Sequence, residues 1–570
     1  MRALNSTYKK MRVMKNLFKS FITILIVGSL VTGCDKMLDV NSERVVSPDE
    51  YNMTATNDSI YSIIGIFSQL QNIVDSYVLL GELRGDLMDV DSKANLYLKE
   101  INNFEVSPDN PYAANIHDYY SIVNNCNYII SKNAESKYEG FEKFTAACKA
   151  IRAWTYMQIA LNFGSAVYYD EPILSVSQAE AIQNRQPIGF DELAPILINE
   201  LTPIKDVLTP DFDFVINSHT FNTSFFPVKF VLGDLYLWTG QYQKAAQEYK
   251  DLIYKNSYTI LNNRYETNRT VTNNAFSGGI TMYGGGWLNL FSTGSAEYIT
   301  NIATTNEYDY KFQLDSLMLN AELVSSEVAQ NNWRNQMYYQ SATLDTLGDL
   351  RIIGSVSKQK PERTTSGSGT VLYHNLKDFS DMKYITKYAQ MNFLTTSVKN
   401  TSKIIMIYRV ALLYLRYAEA INRAGNPNMA FAVLKYGLSK TTLENKAYIP
   451  YYEVDSVNIP DYLDFKDRRF DNNIGIRMRG CGNVNLDTTY YIIPKLTTKQ
   501  DSIEFVEDKI QQELALETAF EGNRFQDLMR FAIRRNDNAY LADKVASKHT
   551  ANKEAIRNKL MTRENWYIRK

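Results

Sequence analysis

The 570-residue sequence predicts a mainly α fold: a tetratricopeptide-like helical-repeat scaffold with loop-rich insertions and a few short strands. Three observations support this. Apolar residues recur at helical spacing in long stretches at both ends of the chain. Two stretches carry small and large residues at tetratricopeptide offsets. Between them, residues 261–402 are rich in Gly, Ser, Thr, Asn and Tyr, where loops and short strands are expected.

Taken in order, the first forty residues are an address. Arg2, Lys9, Lys10, Arg12, Lys15 and Lys19 precede the first acidic residue, Asp35. The uninterrupted apolar run spans only about Phe21 to Val31, whereas a transmembrane helix needs roughly 20 apolar residues. A basic start, a short apolar stretch and small residues at its end form a secretory signal peptide. Its boundary, Val31-Thr32-Gly33-Cys34, resembles a bacterial lipobox in which Val31 replaces the commoner Leu. Cys34 then carries lipid on its sulfur and becomes the mature N-terminus; the alternative is an ordinary secretory signal with an incidental cysteine. One acyl chain binds membranes weakly and several anchor stably, so the lipidated chain is held on a membrane without spanning it. Met11 and Met14 are alternative starts, and Lys15 and Lys19 preserve the signal in either case.

Beyond the tether, "SPDEYNM" places Ser47 ahead of Pro48 and Glu50, a helix-start pattern, and "IYSIIGIFSQLQNIV" continues at helical spacing. In "HDYYSIVNNCNYIISK", Tyr119, Ile122, Val123, Cys126 and Ile129 or Ile130 share a face. "FEKFTAACKAIRAWTYMQIALNFG" is a long helix ending at the capping Gly164. The clearest repeat, "VKFVLGDLYLWTGQYQKAAQEYKDLI", has Leu232, Gly233 and Tyr236, then Ala245 and Tyr249, with Gly240 in the turn. A second copy has Tyr414, Ala418, Ile421, Gly425, Ala430 and Leu434 at matching offsets; Ala153 and Tyr156 mark a first half only. Small residues let two helices approach and large ones fill the groove between them. In "IQQELALETAFEGNRFQDLMRFAIRR", Phe520, Phe525, Leu528 and Phe531 face inward, while Arg524, Arg534 and Arg535 reach water or acidic partners.

The chemistry is sparse. A net charge of −2 leaves no basic patch for nucleic acid. With Cys34 lipidated, Cys126, Cys148 and Cys481 remain; buried free thiols are expected, with a Cys126–Cys148 bond as the alternative. The four histidines lack metal-ligand spacing, and HExxH, GxSxG, P-loop and CxxC motifs are absent. Asp86, Asp89 and Asp91 lack the spacing and glycine of an EF-hand and form a solvated acidic loop in this reading, with a calcium site as the alternative. Glu517 and Glu521 are placed to pair with Arg524. No metal, no cofactor and no catalytic set is expected. The oddity is 40 Tyr against 5 Trp, which suits wet, polar recognition surfaces.

Several segments in their order resemble signatures of the SusD/RagB family: "CDKMLDV", "ELRGDLMDV", "AIRAWTYMQIALNFG" with "YYDEPIL", "YRVALLYLRYAEAINRAGN", "GIRMRGCG" and "ETAFEGNRFQDLMRFA". The resemblance covers nearly the whole mature chain. It implies four tetratricopeptide-like units as scaffold and a loop-rich face that holds ligand. It also implies an outer-membrane lipoprotein facing the cell exterior, which sits as a hinged lid on a SusC-like TonB-dependent transporter. In that lineage an acidic residue such as Asp35 after the cysteine is compatible with surface export.

These readings divide the chain into a signal peptide (1–33), an N-terminal helical region (34–260), the loop-rich insertion (261–402) and a C-terminal helical region (403–570). Sugar-binding members often place tryptophans after the "RGD"-like motif. Here that segment has Tyr97, Phe104 and Tyr112 with Asn102 and Asn103. The other candidate platform is Tyr283, Trp287 and Phe291 with Asn289 in the glycine-rich loop. Rings stack on sugar faces and amides bind hydroxyls. The expected ligand is an oligosaccharide, by family frequency, with a peptide as runner-up. The competing class is a membrane-tethered tetratricopeptide scaffold that binds only proteins, which has no need of the loop-rich insertion.

Overall fold

The computed structural model describes residues 56–568, except 114, 136–140, 212–214, 217–218, 261–266, 271–278, 283–289, 291–294, 304–313, 341–344, 359–361, 364–371, 374–380, 388, 393–396, 402–403, 456 and 482–490. The helix start proposed at Ser47 lies outside them. α1 (Thr56–Glu82) is apolar around most of its circumference, and Ile63, Ile66, Phe67, Leu70, Ile73 and Val74 are all buried. Its length and composition would suffice to cross a membrane, but 61% of its apolar window is covered by protein. A helix apolar on all sides belongs in a core.

There follow α2 (Leu96–Asn102), α3 (Ile116–Glu135), α4 (Phe141–Phe163), α5 (Val176–Gln183), α6 (Phe190–Leu201), α7 (Val228–Trp238) and α8 (Tyr242–Lys255). After the strand-rich middle come α9 (Val410–Arg423), α10 (Pro427–Lys435), α11 (Lys499–Glu517), α12 (Arg524–Arg535), α13 (Asn538–Ala546) and α14 (Lys553–Leu560). α3 and α4 pack as a hairpin; then α4 packs on α6, α6 on α7, α7 on α8, α8 on α9, and α9 on α10 and α11. On α3 the buried face is Tyr119, Ile122, Val123, Cys126 and Ile129. α4 stops at Gly164, whose φ of +87° suits glycine and whose N–H donates to the Ala160 carbonyl.

The repeat logic is visible atom by atom. A Cβ on Gly233 would sit 2.6 Å from Cε1 of Tyr249, so the α7–α8 crossing requires a glycine. The Tyr249 hydroxyl donates to Asp234 at 2.5 Å. In the α9–α10 copy, Tyr414, Ala418, Ile421, Ala430 and Leu434 are buried. The half-repeat in α4 packs on α3 before it and on α6 after it, beyond the segment carrying α5.

Strands stitch the middle of the chain to both ends. β1 (Met88–Val90), β2 (Tyr298–Ala303), β3 (Leu323–Ser325), β4 (Val356–Ser357), β5 (Tyr384–Ile385) and β6 (Ile404–Arg409) are short, as the turn-rich composition predicts. One antiparallel sheet has the order β1-β3-β5-β4, with Met88 opposite Ser325. β2 pairs antiparallel with β6, Ile404 opposite Ala303. All of β6 is buried, and it runs directly into α9, which delivers Arg409 to the centre.

There the charged residues of the signature-like segments converge. Arg351, Lys387, Arg409, Arg477 and Arg479 pair with Glu297, Asp349, Glu513, Glu517 and Glu521, and all ten are buried. Among the described residues this hub balances five cations against five carboxylates. Glu517 accepts from Arg409 at 2.9 Å, Arg479 at 2.6 Å and Arg351 at 2.9 Å. Burial alone would raise its pKa, but the three guanidiniums override this and hold it below the usual carboxylate range. A second cluster joins Arg416, Arg530 and Arg534 to Glu419, Asp527 and Glu507.

Two expectations are corrected here. Glu517 and Glu521 do not pair with Arg524; they face the hub, because Glu517 ends α11 and Glu521 lies in the turn after it, where Arg409 of β6 reaches both. Arg524 instead makes a bidentate pair with Asp86 at 2.5 and 2.8 Å, and both are buried. Asp86 is therefore not part of a solvated acidic loop. Arg534 reaches acidic partners as expected, buried between Glu419 and Glu507. Cys126 and Cys148 are buried and unbridged.

Candidate functional site

The segment after the Arg84-Gly85-Asp86 corner is built by its own amides. Asn95 caps α2, accepting from the Leu98 N–H at 3.1 Å. The Asn95 backbone N–H and side-chain amide both donate to Glu322 Oε2, at 3.0 and 2.9 Å, which ties the helix start to the turn before β3. Fully buried Asn110 donates to the Tyr97 carbonyl and to Glu100, each at 2.9 Å, and accepts from the Tyr112 N–H at 3.1 Å. One amide thus fixes the backbones of two predicted ligand residues. Tyr97 and Tyr112 are half-buried, and neighbouring Leu96 is 68% exposed. Burial raises the Tyr112 phenol pKa while a hydrogen bond from Asn95 opposes it. The Glu100 carboxyl is held low, chiefly by the Ser107 hydroxyl.

The arrangement offers two partly open rings and the Glu100 carboxylate on a loop whose amides are spent on its own hydrogen bonds. Rings placed in this way can stack on a flat ligand face. Among the described residues no three His, Cys, Asp or Glu side chains converge as a metal set.

The other candidates separate from this pair. Asn102 is buried and donates to Asp89 at 3.0 Å, so it supports the loop from within. Asn103 ends α2 and accepts from Asn552 at 3.4 Å, at the start of α14. Phe104 adopts a φ of +59°, and its ring lies 5.7 Å from that of Phe525 in α12. It borders a cavity of about 190 Å³ that Arg84, Trp566 and Tyr567 also line. Asn103 and Phe104 thus pack on the C-terminal helices rather than beside Tyr97 and Tyr112. Tyr283, Trp287, Asn289 and Phe291, like Cys34, lie outside the described residues. Asn95, Asn110 and Glu322 were missed by the sequence reading. The N-cap position of Asn95 before "LYLKE" was a usable signal; the Glu322 contact spans 227 residues and left none.

The family profile described as the SusD family matches residues 250–570, more than half of the chain and all ten hub residues. The chain belongs to the SusD family. Solved structures of SusD proteins share its fold at low identity. A SusD superfamily protein from Bacteroides vulgatus superimposes with a TM-score of 0.55 at 16% identity, covering 89% of this chain and 93% of the other. A SusD homolog from Bacteroides thetaiotaomicron gives 0.54 at 14% identity, covering 88% and 90%. A SusD-like carbohydrate binding protein from Bacteroides fragilis gives 0.54 at 13% identity, covering 85% and 88%. A search of curated proteins finds no match. The Tyr97–Tyr112 loop lies ahead of the span matched by the SusD profile, so its side chains are read from this chain's own geometry.

Proposed function

We propose that this SusD protein is a lipid-anchored surface protein of the outer membrane. It captures a nutrient oligosaccharide and passes it to a SusC-like TonB-dependent transporter, without catalysing a reaction on it. The SusD-family match over residues 250–570 carries this reading. Three further points support it: a B. fragilis protein of the same fold is described as carbohydrate binding, the lipobox-like Cys34 supplies an anchor, and the Tyr97–Tyr112 loop presents two partly open rings. In this reading the described loop and Trp287 of the glycine-rich segment share the work of ligand contact.

The test is titration of the mature chain against arrays of neutral glycans and of peptides. Glycan binding is expected, and Tyr97→Ala or Trp287→Ala should weaken it by roughly tenfold to a hundredfold, the equivalent of about 1–3 kcal/mol for one stacked ring. Binding of peptides alone would replace the ligand class. Binding of neither would turn the reading toward a protein-only scaffold.

A further inference from the structure

A second cleft, of about 500 Å³, lies along α8. Its volume is within the roughly 300–1,000 Å³ range of small-molecule sites. Lys250 and Tyr254, one helical turn apart on α8, form one wall. Asp461, Asp464, Lys466 and Asp467, on the segment that packs against α8, form the other.

Lys250 is the unusual group. It is only 3% exposed, yet it lines the cleft and makes no hydrogen bond or ion pair with a described residue. Its ammonium lies 5.1 Å from the Tyr254 ring centroid and 4.9 Å from that of Phe465. The stem is buried and the ammonium is open to the cleft, so a ligand oxygen there can accept from its N–H donors. Burial lowers the Lys250 pKa, against the pull of Asp461, Asp464 and Asp251.

The opposite wall supplies acceptors. Asp461 uses one oxygen for Gln247 at 2.6 Å, and Asp464 uses one for the Lys466 N–H at 3.0 Å. The second oxygen of each has no hydrogen bond from a described residue. Tyr254 is held in place by its bond to Asp467 at 3.2 Å and by the Arg469 guanidinium 4.1 Å from its centroid, and is still 42% exposed. Three lysines and four aspartates line the cleft, and Arg469 at its edge brings the formal charge to zero. Interleaved donors and acceptors without net charge suit a neutral polyhydroxylated ligand better than a polyanion or a basic peptide.

We infer that this cleft is a second saccharide subsite, in which Lys250 donates to sugar hydroxyls, Asp461 and Asp464 accept from them, and Tyr254 presents its ring. It rests on the capture of a saccharide proposed above. Two separated subsites on one chain raise the apparent affinity for a long glycan over a short one, since the second contact becomes intramolecular.

Saturation-transfer NMR on the mature chain tests it, with glucose, galactose, mannose, xylose and their linear neutral oligomers as probes. Transfer should persist in a Tyr97→Ala/Tyr112→Ala variant and weaken roughly tenfold in affinity with Tyr254→Ala and with Lys250→Met. Tyr254→Phe, which keeps the ring, should retain it. Tyr254 is exposed enough that its loss leaves the melting temperature in place, so the Ala/Phe contrast decides the matter even if Lys250→Met destabilises the fold. Transfer unchanged by Tyr254→Ala overturns the subsite and leaves saccharide capture standing. Absence of transfer from every probe to the unmodified chain overturns both.

Discussion

Replacing Glu517 by Gln should cost the fold several kcal/mol, out of proportion to a change of one atom. Glu517 is fully buried and accepts from three arginines that arrive from distant parts of the chain: Arg351 in the short helix Arg351–Ser355, Arg409 at the end of β6, and Arg479 in the turn Ile476–Gly480. Glutamine keeps the shape but removes the charge and turns an N–H₂ toward guanidinium donors. The hub, balanced among the described residues, is left with an excess cation. Removing one partner of a buried ion pair typically costs about 3–5 kcal/mol, because the remaining charge is stranded out of water. Residues 59–570 form one unit, for which an unfolding entropy of about 2.1 cal/mol/K per residue gives roughly 1 kcal/mol/K in total. The melting temperature should therefore fall by about 3–5 °C in differential scanning calorimetry. The shift should persist in high salt, since buried pairs are little screened. The control is Asp543→Asn, which breaks the exposed pair with Arg557 and should cost under about 1 kcal/mol. If Glu517→Gln melts no lower than that control, the hub is not what holds these segments together.

Three other outcomes follow from the same reasoning. Gly233→Ala places a methyl 2.6 Å from the Tyr249 ring, and overpacking of this kind costs about 1–3 kcal/mol; an unchanged denaturation midpoint would show that the α7–α8 crossing can open freely. Burial first, and Lys548 second, lower the His549 pKa to about 3, while the unfolded chain protonates it near 6.5. Its contribution is therefore present above pH 6.5 and lost progressively as pH falls toward 3. Burial pushes Glu82 the other way, to about 7, but Glu82 is common to both proteins. His549→Asn should thus show a flatter loss of stability than the parent between pH 6.5 and about 4.5, and parallel curves would contradict the assignment. Finally, Cys34→Ser should release the protein from the membrane fraction or leave it unprocessed; a mutant processed and fractionated like the parent ends the lipoprotein reading.

What could be read from the chain, and what could not, divides by distance along it. The crossing of α7 and α8 was legible because Gly233 and Tyr249 lie on adjacent helices at a known offset. Gly164 was legible because a helix end is a local event. The hub was not. Glu297, Arg351, Arg479 and Glu517 do not name their partners locally, and Arg409, a lone charge in the apolar run 404–413, signals burial but not with whom; only the pairing of β6 with β2 and the docking of α11 bring them together. Arg524 has acidic residues one and two turns away, so local spacing favoured Glu517 and Glu521; the partner it takes is Asp86, 438 residues off. At the candidate site the limit is of another kind. An aromatic in a polar loop has the same signature whether it faces water or a neighbouring helix. Tyr97 stays partly open, while the positive φ at Phe104 sends its ring against Phe525.

The most direct test of ligand capture and delivery is affinity purification of the full-length protein from its own outer membrane, in detergent that preserves membrane complexes, with mass spectrometry of everything that elutes. The reading predicts a large TonB-dependent barrel in the eluate in constant ratio to this chain, with saccharide bound. Repeated recovery of the chain alone, or with soluble proteins and no barrel, would contradict it.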